Sequence, residues 1–168
     1  MKILILVRHA KSSWDQMGLD DFDRPLNERG KKDAPEMAAR LKEKGLKIDL
    51  FLSSPAKRAR KTAKYFVEEF GLKKEDIELE KDLYGASPST ILKAVTGIKN
   101  KLGTVALFAH NPGLTEFASS LTDVHIDNMP TCSVFAVQAE TDNWADFTTA
   151  PKRFLFFDYP KNNLPGQD

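Results

Sequence analysis

Cysteine is almost missing from this chain: Cys132 is the only one in 168 residues. An internal disulfide and any zinc site built from several thiolates are therefore excluded. Its setting before Ser133, Val134 and Phe135 is that of a small buried thiol. Long apolar runs are missing too. No segment approaches the roughly 20 apolar residues of a membrane span. The opening MKILILVRHA has its apolar run cut off by Arg8 and His9, unlike a signal peptide with a longer apolar stretch and a small-residue cleavage site. Charge of one sign is equally scarce. Lys plus Arg number 25 and Asp plus Glu 24, a formal net charge of +1, so the chain carries no electrostatic footprint for nucleic acid or an anionic membrane. These absences predict a soluble, cytoplasmic protein that binds neither. What remains is ordinary globular usage, 41% hydrophobic and 29% charged. The length fits one domain over 1–168, large enough for a core of its own. No repeat, low-complexity tract or linker divides it.

What is present is an alternation of short apolar runs with helical stretches. Ile3 to Val7 is continuously apolar, the pattern of a strand covered on both faces. Trp14 to Arg24 is polar and acidic and reads as a loop. Ala34, Met37, Ala38 and Leu41 recur at helical spacing in a predicted helix over 27–44, with Asn27 as N-cap and Gly45 as stop. Pro35 lies inside it; an interior proline costs about 3 kcal/mol, which predicts a kink or a late helix start. Ile48 to Leu52 is a second strand, and Ser54-Pro55 reads as the N-cap and first position of a helix running to Phe70. A third, more polar strand takes in Ile77, Leu79 and Leu83, nearer a sheet edge. Ser87-Pro88 opens a helix carrying Ile91, Leu92, Val95, Ile98 and Leu102. Val105 to Ala109 is another buried strand, and Asn111-Pro112 opens the next helix, with Phe117, Ala118 and Leu121 facing inward. Two apolar stretches, 134–137 and 154–157, follow as strands with no long helix between them, and 161–168 reads as a loose polar tail. This order predicts an α/β fold, a three-layer sandwich with a mostly parallel central sheet and helices on both faces.

Ligands of open α/β sheets bind beyond the carboxyl ends of the strands. Arg8 and His9 follow the first strand, Ser53, Ser54 and Pro55 the second with Arg58 soon after, and His110, Asn111 and Pro112 the fourth. Two of the three histidines thus fall on one rim. Two arginines near a helix start make an anion site, because a guanidinium fork matches phosphate oxygens and free N–H groups add to it. An imidazole beside that anion can attack phosphorus and split one displacement into two. It must be unprotonated to do so, and neighbouring guanidinium charge lowers its pKa. The second histidine can donate to phosphoryl oxygens. The cations supply the positive charge, so no metal is expected. Taken singly, each residue has a plainer reading: Lys57, Arg60 and Lys61 of KRARK as a solvated helix face, His125 as structural or exposed. The joint placement carries the signal.

Arg8 and His9 within LVRHAKSSW resemble the Arg-His signature of the histidine phosphatase superfamily, also called the phosphoglycerate mutase-like family. The resemblance continues, in the family's order, through RPLNERG (24–30), SSPAKRARKTA (53–63) and AHNPG (109–113). The short length without helical insertions is most similar to the SixA branch, the phosphohistidine phosphatases. The resemblance implies a phosphoglycerate mutase-like fold, His9 as the phosphorylated nucleophile, and Arg8, Arg58 and His110 around the phosphoryl group. It places Ser12, Arg24 and Asn111 on the substrate side. Arg24, with Asp21 in an Asp-x-x-Arg-Pro-Leu context, resembles the rim of the SixA branch. Asp15 stands where mutase-like members tend to have Asn, and as an anion it is expected to point away. Larger members place a carboxylic acid after the third strand, where this chain offers Glu80 and Asp82, with Asp82 the candidate acid.

The expected activity is a phosphatase working through a phosphohistidine intermediate at His9, without cofactor or metal, on phosphohistidine in a protein. Two other readings stand beside it: a phosphatase of small phosphate esters, and a phosphate-binding module without catalysis. A mutase must keep its intermediate from water, and this chain lacks insertions from which to build a lid.

Overall fold

The computed structural model describes residues 1–163; the end of the predicted loose tail, 164–168, lies outside the described residues. Ten regular elements follow in chain order: β1 (Lys2–Arg8), α1 (Glu28–Glu43), β2 (Leu50–Ser53), α2 (Lys57–Glu69), β3 (Ile77–Leu79), α3 (Pro88–Thr96), β4 (Thr104–Ala109), α4 (Gly113–Leu121), β5 (Val134–Ala139) and β6 (Lys152–Asp158). The strands form one sheet in the order β3-β2-β4-β1-β5-β6. β3, β2, β4 and β1 are parallel, whereas β5 pairs antiparallel with β1, and β6, antiparallel to β5, returns to the direction of β1. The sheet is therefore mixed but mostly parallel, with the polar β3 at one edge.

Alternation along the strands divides the core in two. Leu4 and Leu6 of β1, Val105 and Leu107 of β4, and Phe135 and Val137 of β5 face α3 and α4. Ile5 and Val7, Ala106 and Phe108, and Val134 and Ala136 face α1 and α2. β1 and β4 are buried on both faces, which is why they read as unbroken apolar runs. On the first side Trp144 and Phe147 are fully buried, and on the other Phe51, Phe66 and Phe108 pack together. Each fully buried aromatic contributes about 1.5–3 kcal/mol of transfer free energy.

Several boundaries differ from the sequence pattern. Asn27 caps α1 as expected, its side chain accepting from the Gly30 N–H at 2.9 Å. α1 runs through Pro35 with no late start, because the buried face of Ala34, Met37, Ala38 and Leu41 holds the helix on both sides of it. α2 begins at Lys57 rather than Pro55, so Ser54 is not its cap. β3 ends at Leu79; Leu83 sits in a short 3-10 turn over 81–83 and is fully buried beneath α3. α3 stops at Thr96, and Ile98 and Leu102 lie beyond it. Residues 160–163 form a further 3-10 turn. Among the described residues no helix is long and apolar enough to cross a membrane.

Two glycines explain motif positions that the pattern alone leaves unexplained. A Cβ on Gly30 would stand 2.2 Å from the Lys11 carbonyl oxygen, and one on Gly113 would stand 1.9 Å from that of Ala86. Both glycines let a helix start approach the backbone that leads into the rim. Gly30→Ala and Gly113→Ala are each expected to lose about 3 kcal/mol. Gly97→Ala, whose Cβ would meet the Lys93 carbonyl at an ordinary 3.5 Å with a helical backbone, is expected to be neutral or to gain up to about 1 kcal/mol. Urea denaturation of the three variants checks the contrast.

Candidate active site

Parallel pairing builds the site before any side chain is considered. Arg8 is registered with Ala109 across β1 and β4, and Ser53 with Phe108 across β2 and β4. The ladders continue one step further, with His9 N–H on the Ala109 carbonyl at 3.3 Å and Ser54 N–H on the Phe108 carbonyl at 3.0 Å. His9, Ser54 and His110 therefore leave adjacent strands at one end of the sheet. The two imidazole centroids lie 5.2 Å apart, tilted by 48°. α2 brings in Arg58 in its first turn. Thr62, one turn on, accepts from the Ala10 N–H at 2.9 Å and donates to the Arg58 carbonyl at 2.8 Å, which ties α2 to the end of β1.

The hydrogen bonds define what each group offers. His9 Nδ1 is 2.8 Å from the Ala10 carbonyl oxygen. A carbonyl only accepts, so Nδ1 carries the proton and the Nε2 lone pair is free. Ser54 Oγ accepts from the Ala56 N–H at 3.3 Å and lies 2.7 Å from His110 Nε2. The buried Ser54 hydroxyl has no other acceptor among the described residues, so it is assigned as donor to Nε2, which leaves the proton of His110 on Nδ1. Arg8 donates from one terminal nitrogen to the Met129 carbonyl at 2.9 Å. Arg58 gives both terminal nitrogens to Asp21, one to its carbonyl at 2.7 Å and one to Oδ2 at 3.0 Å. Arg8 Nε, Arg58 Nε and His110 Nδ1 are buried without a partner among the described residues. Three unpaired donors of this kind make a ready site for a multiply charged oxyanion.

Electrostatics keep the imidazoles neutral. Burial is the largest influence on His9 and lowers its pKa to about 3; His110, Arg58 and Arg8 lower it further, against the Ala10 hydrogen bond. Burial and then Arg58 lower His110 to about 4, with Asp21 opposing. Burial and Arg58 also lower Arg8 from its ordinary value. The Tyr84 hydroxyl, 2.6 Å from Asp21 Oδ2, is the largest of the influences that bring Asp21 to about 2, with Arg58 and Arg24 assisting against burial.

The remaining predicted residues divide. Ser12 and Arg24 turn to each other: Arg24 donates to Ser12 Oγ at 2.6 Å and holds Asp21 Oδ1 with two nitrogens at 3.1 Å, beneath the Trp14 ring at 3.5 Å. Arg24 is thus held at the rim by Ser12 and Asp21, and the Ser12 hydroxyl, which only accepts here, keeps its proton to donate. Asn111 is consumed. Its amide donates to Asn128 Oδ1 and the Met129 carbonyl and accepts from the backbone and hydroxyl of Thr115. Two of these four bonds go to Thr115 in α4 and two to the 128–129 segment whose Met129 carbonyl also holds Arg8, so Asn111 ties that segment to the helix. Asp82 is exposed in the 81–83 turn, and no hydrogen bond or ion pair joins its side chain to the cluster among the described residues. Asp15 is exposed, and its carboxylate makes no hydrogen bond or ion pair with the cluster among the described residues. His125 is exposed and paired with Asp127. Cys132 is buried with its thiol pKa raised by burial. Asp21, Tyr84, Ser54 and Thr62 are the contributors whose roles sequence reasoning missed. Tyr84 stands 63 positions from its partner and carries no motif. Among the described residues no group of three or more His, Cys, Asp or Glu side chains is placed to hold a metal ion.

Comparison with known proteins gives a consistent picture. Residues 4–84 match the family model described as the histidine phosphatase superfamily (branch 1). An uncharacterized chloroplastic protein of Arabidopsis thaliana is 33% identical over 151 residues, covering 85% of this chain and 69% of its own. A protein assigned as phosphohistidine phosphatase SixA from Agrobacterium tumefaciens superposes with a TM-score of 0.79 at 26% identity, over 95% of this chain and 98% of that one. The protein histidine phosphatase SixA complexed with tungstate superposes with a TM-score of 0.78 at 21% identity, over the same shares, a likeness of fold.

Both histidines are depressed below an ordinary value of 6.5, so the unfolded chain takes up protons that the native state does not. Their contribution to stability is complete above about pH 6.5 and is lost as pH falls toward about 4 and then 3, with a slope of up to about 1.4 kcal/mol per pH unit for each group. Histidine NMR signals of His9 and His110 are expected to stay constant from pH 5 to 8, and His110→Asn to flatten the acid limb of the stability curve.

Proposed function

This chain belongs to the histidine phosphatase superfamily, in its SixA-like branch, and we propose that it removes the phosphoryl group from phosphohistidine in a protein by way of a phosphorylated His9. One observation carries the reading. A neutral imidazole with its Nε2 lone pair free stands beside three buried donors that have no partner among the described residues.

In the first step His9 Nε2 forms a bond to phosphorus as the P–N bond to the substrate imidazole breaks. The electron pair of that bond stays on the departing ring, which leaves neutral because its other nitrogen already carries a proton. His9 takes up the positive charge this creates, and the Ala10 carbonyl at 2.8 Å stabilises it through Nδ1–H. Arg8 Nε, Arg58 Nε and His110 Nδ1 donate to the phosphoryl oxygens, where charge is spread in the transition state. In the second step water attacks phosphorus, the P–Nε2 pair returns to His9, and phosphate departs with both protons of the water. Imidazole is exchanged for imidazole, so neither step needs a separate carboxylic acid. That favours phosphohistidine over an alkyl phosphate, whose alkoxide leaves poorly without a proton, and it suits a cluster to which Asp82 contributes no hydrogen bond.

His9→Ala is expected to abolish turnover and the acid-labile phosphoenzyme trapped by rapid quench. Turnover retained by that variant would refute the mechanism. Arg58→Ala and His110→Ala are expected to lower kcat by about 10²–10³, the usual loss of one preorganised donor, as read by steady-state assay with a phosphohistidine peptide.

A further inference from the structure

The acidic segment ahead of RPL has one member inside the site. Asp21 grips both terminal nitrogens of Arg58 and two nitrogens of Arg24, and Tyr84 closes over it with a hydroxyl at 2.6 Å. The Tyr84 ring edge also rests on His110, with centroids 5.6 Å apart at 82°. These groups differ in depth. His9, Arg58 and His110 are each 6% exposed, whereas Tyr84 is 38% exposed and the Asp21 side chain 47%. Asp20 and Asp23, on either side, are exposed and carry no ion pair among the described residues.

Phosphoryl transfer holds the attacking and leaving atoms roughly in line through phosphorus. With the nucleophile at the buried end, the leaving group points to the open end, where Asp21 stands. We propose that Asp21 is a specificity-determining residue that selects the charge of the substrate at its leaving-group end, favouring a phosphorylated imidazole protonated on its other nitrogen and rejecting leaving groups that carry a carboxylate or second phosphate. This rests on the phosphohistidine reading above. Arg58 supports it, because its terminal nitrogens are turned to Asp21 and only Nε remains unpaired. Among the described residues Arg58 thus offers no free pair of terminal nitrogens to a second anion, and the Asp21 carboxylate stands beside them. A like charge several ångströms from a substrate carboxylate, partly screened at the surface, changes affinity by about tenfold. Tyr84 acts differently: it holds Asp21 and adds no charge of its own.

The test compares kcat/KM of the full-length protein for three substrates: a phosphohistidine peptide, 3-phosphoglycerate with its anionic leaving group, and p-nitrophenyl phosphate as the common scale. Asp21→Asn is expected to lower the preference for the phosphohistidine peptide over 3-phosphoglycerate by about tenfold, and Asp21→Ser to do the same. Tyr84→Phe, which keeps the carboxylate, is expected to slow all three substrates alike and leave the preference unchanged. The ratio is taken within one preparation, so a smaller folded fraction cancels. Equal loss on all three substrates in both Asp21 variants would overturn the proposal and leave Asp21 only as a support for Arg58. No turnover of any substrate by the native protein would overturn the phosphatase reading and this proposal with it.

Discussion

β1 and β4 lie side by side and run in the same direction, and the site depends on that pairing more than on any other contact. The register of Arg8 with Ala109 brings two segments about 100 residues apart to a common end, and neighbouring strands are separated by about 4.8 Å. His9 and His110 inherit that spacing as their 5.2 Å separation. β2 on the far side of β4 adds Ser54 by the same ladder, and α2 returns over the sheet to add Arg58. Close helix starts at Gly30 and Gly113 tighten the frame around these ends.

A second constraint is electrostatic. The site buries two guanidinium groups and two imidazoles against few counter-charges, which is costly unless the groups are neutral or paired. The imidazoles are held neutral by burial and by the arginines. Arg58 is paired with Asp21, and Arg8 is given a carbonyl. The nitrogens left over after this pairing are the donors that an oxyanion requires. The proton pattern on His9 is set by the backbone carbonyl of the next residue, and that on His110 by the Ser54 hydroxyl. Reactivity and recognition thus rest on small local hydrogen bonds around strand ends that the sheet has already placed.

Much of this is legible in the chain itself. The unbroken apolar runs of β1 and β4 betray strands covered on both faces, and polar residues directly after them mark the rim. Arg8, His9, Arg58 and His110 come out of that reasoning, and the structure gathers them. Residues whose role depends on a partner elsewhere do not come out. Ser54 has the look of a helix cap, yet the helix begins later and the hydroxyl meets His110. Ser12, Arg24 and Asn111 belong to the right motifs, but Arg24 is paired with Ser12 and Asp21, and Asn111 with Thr115, Asn128 and Met129. Leu83 continues the alternation of an edge strand, yet burial beneath α3 turns the chain there into a 3-10 turn instead.

By itself the sequence determined the layered α/β order, the strand ends that carry basic side chains and the family whose motifs they match, because hydrophobic periodicity and short motifs are local properties of a chain. The tertiary structure alone decided which nitrogens stay unpaired, how far Asp21 offsets the arginines and that Tyr84 stands over them. Those outcomes depend on distances between groups brought together from β1, the 21–24 segment, α2, the 81–84 turn and β4. Hydrogen bonding and desolvation act over a few ångströms of space, and separation along the chain carries no record of them.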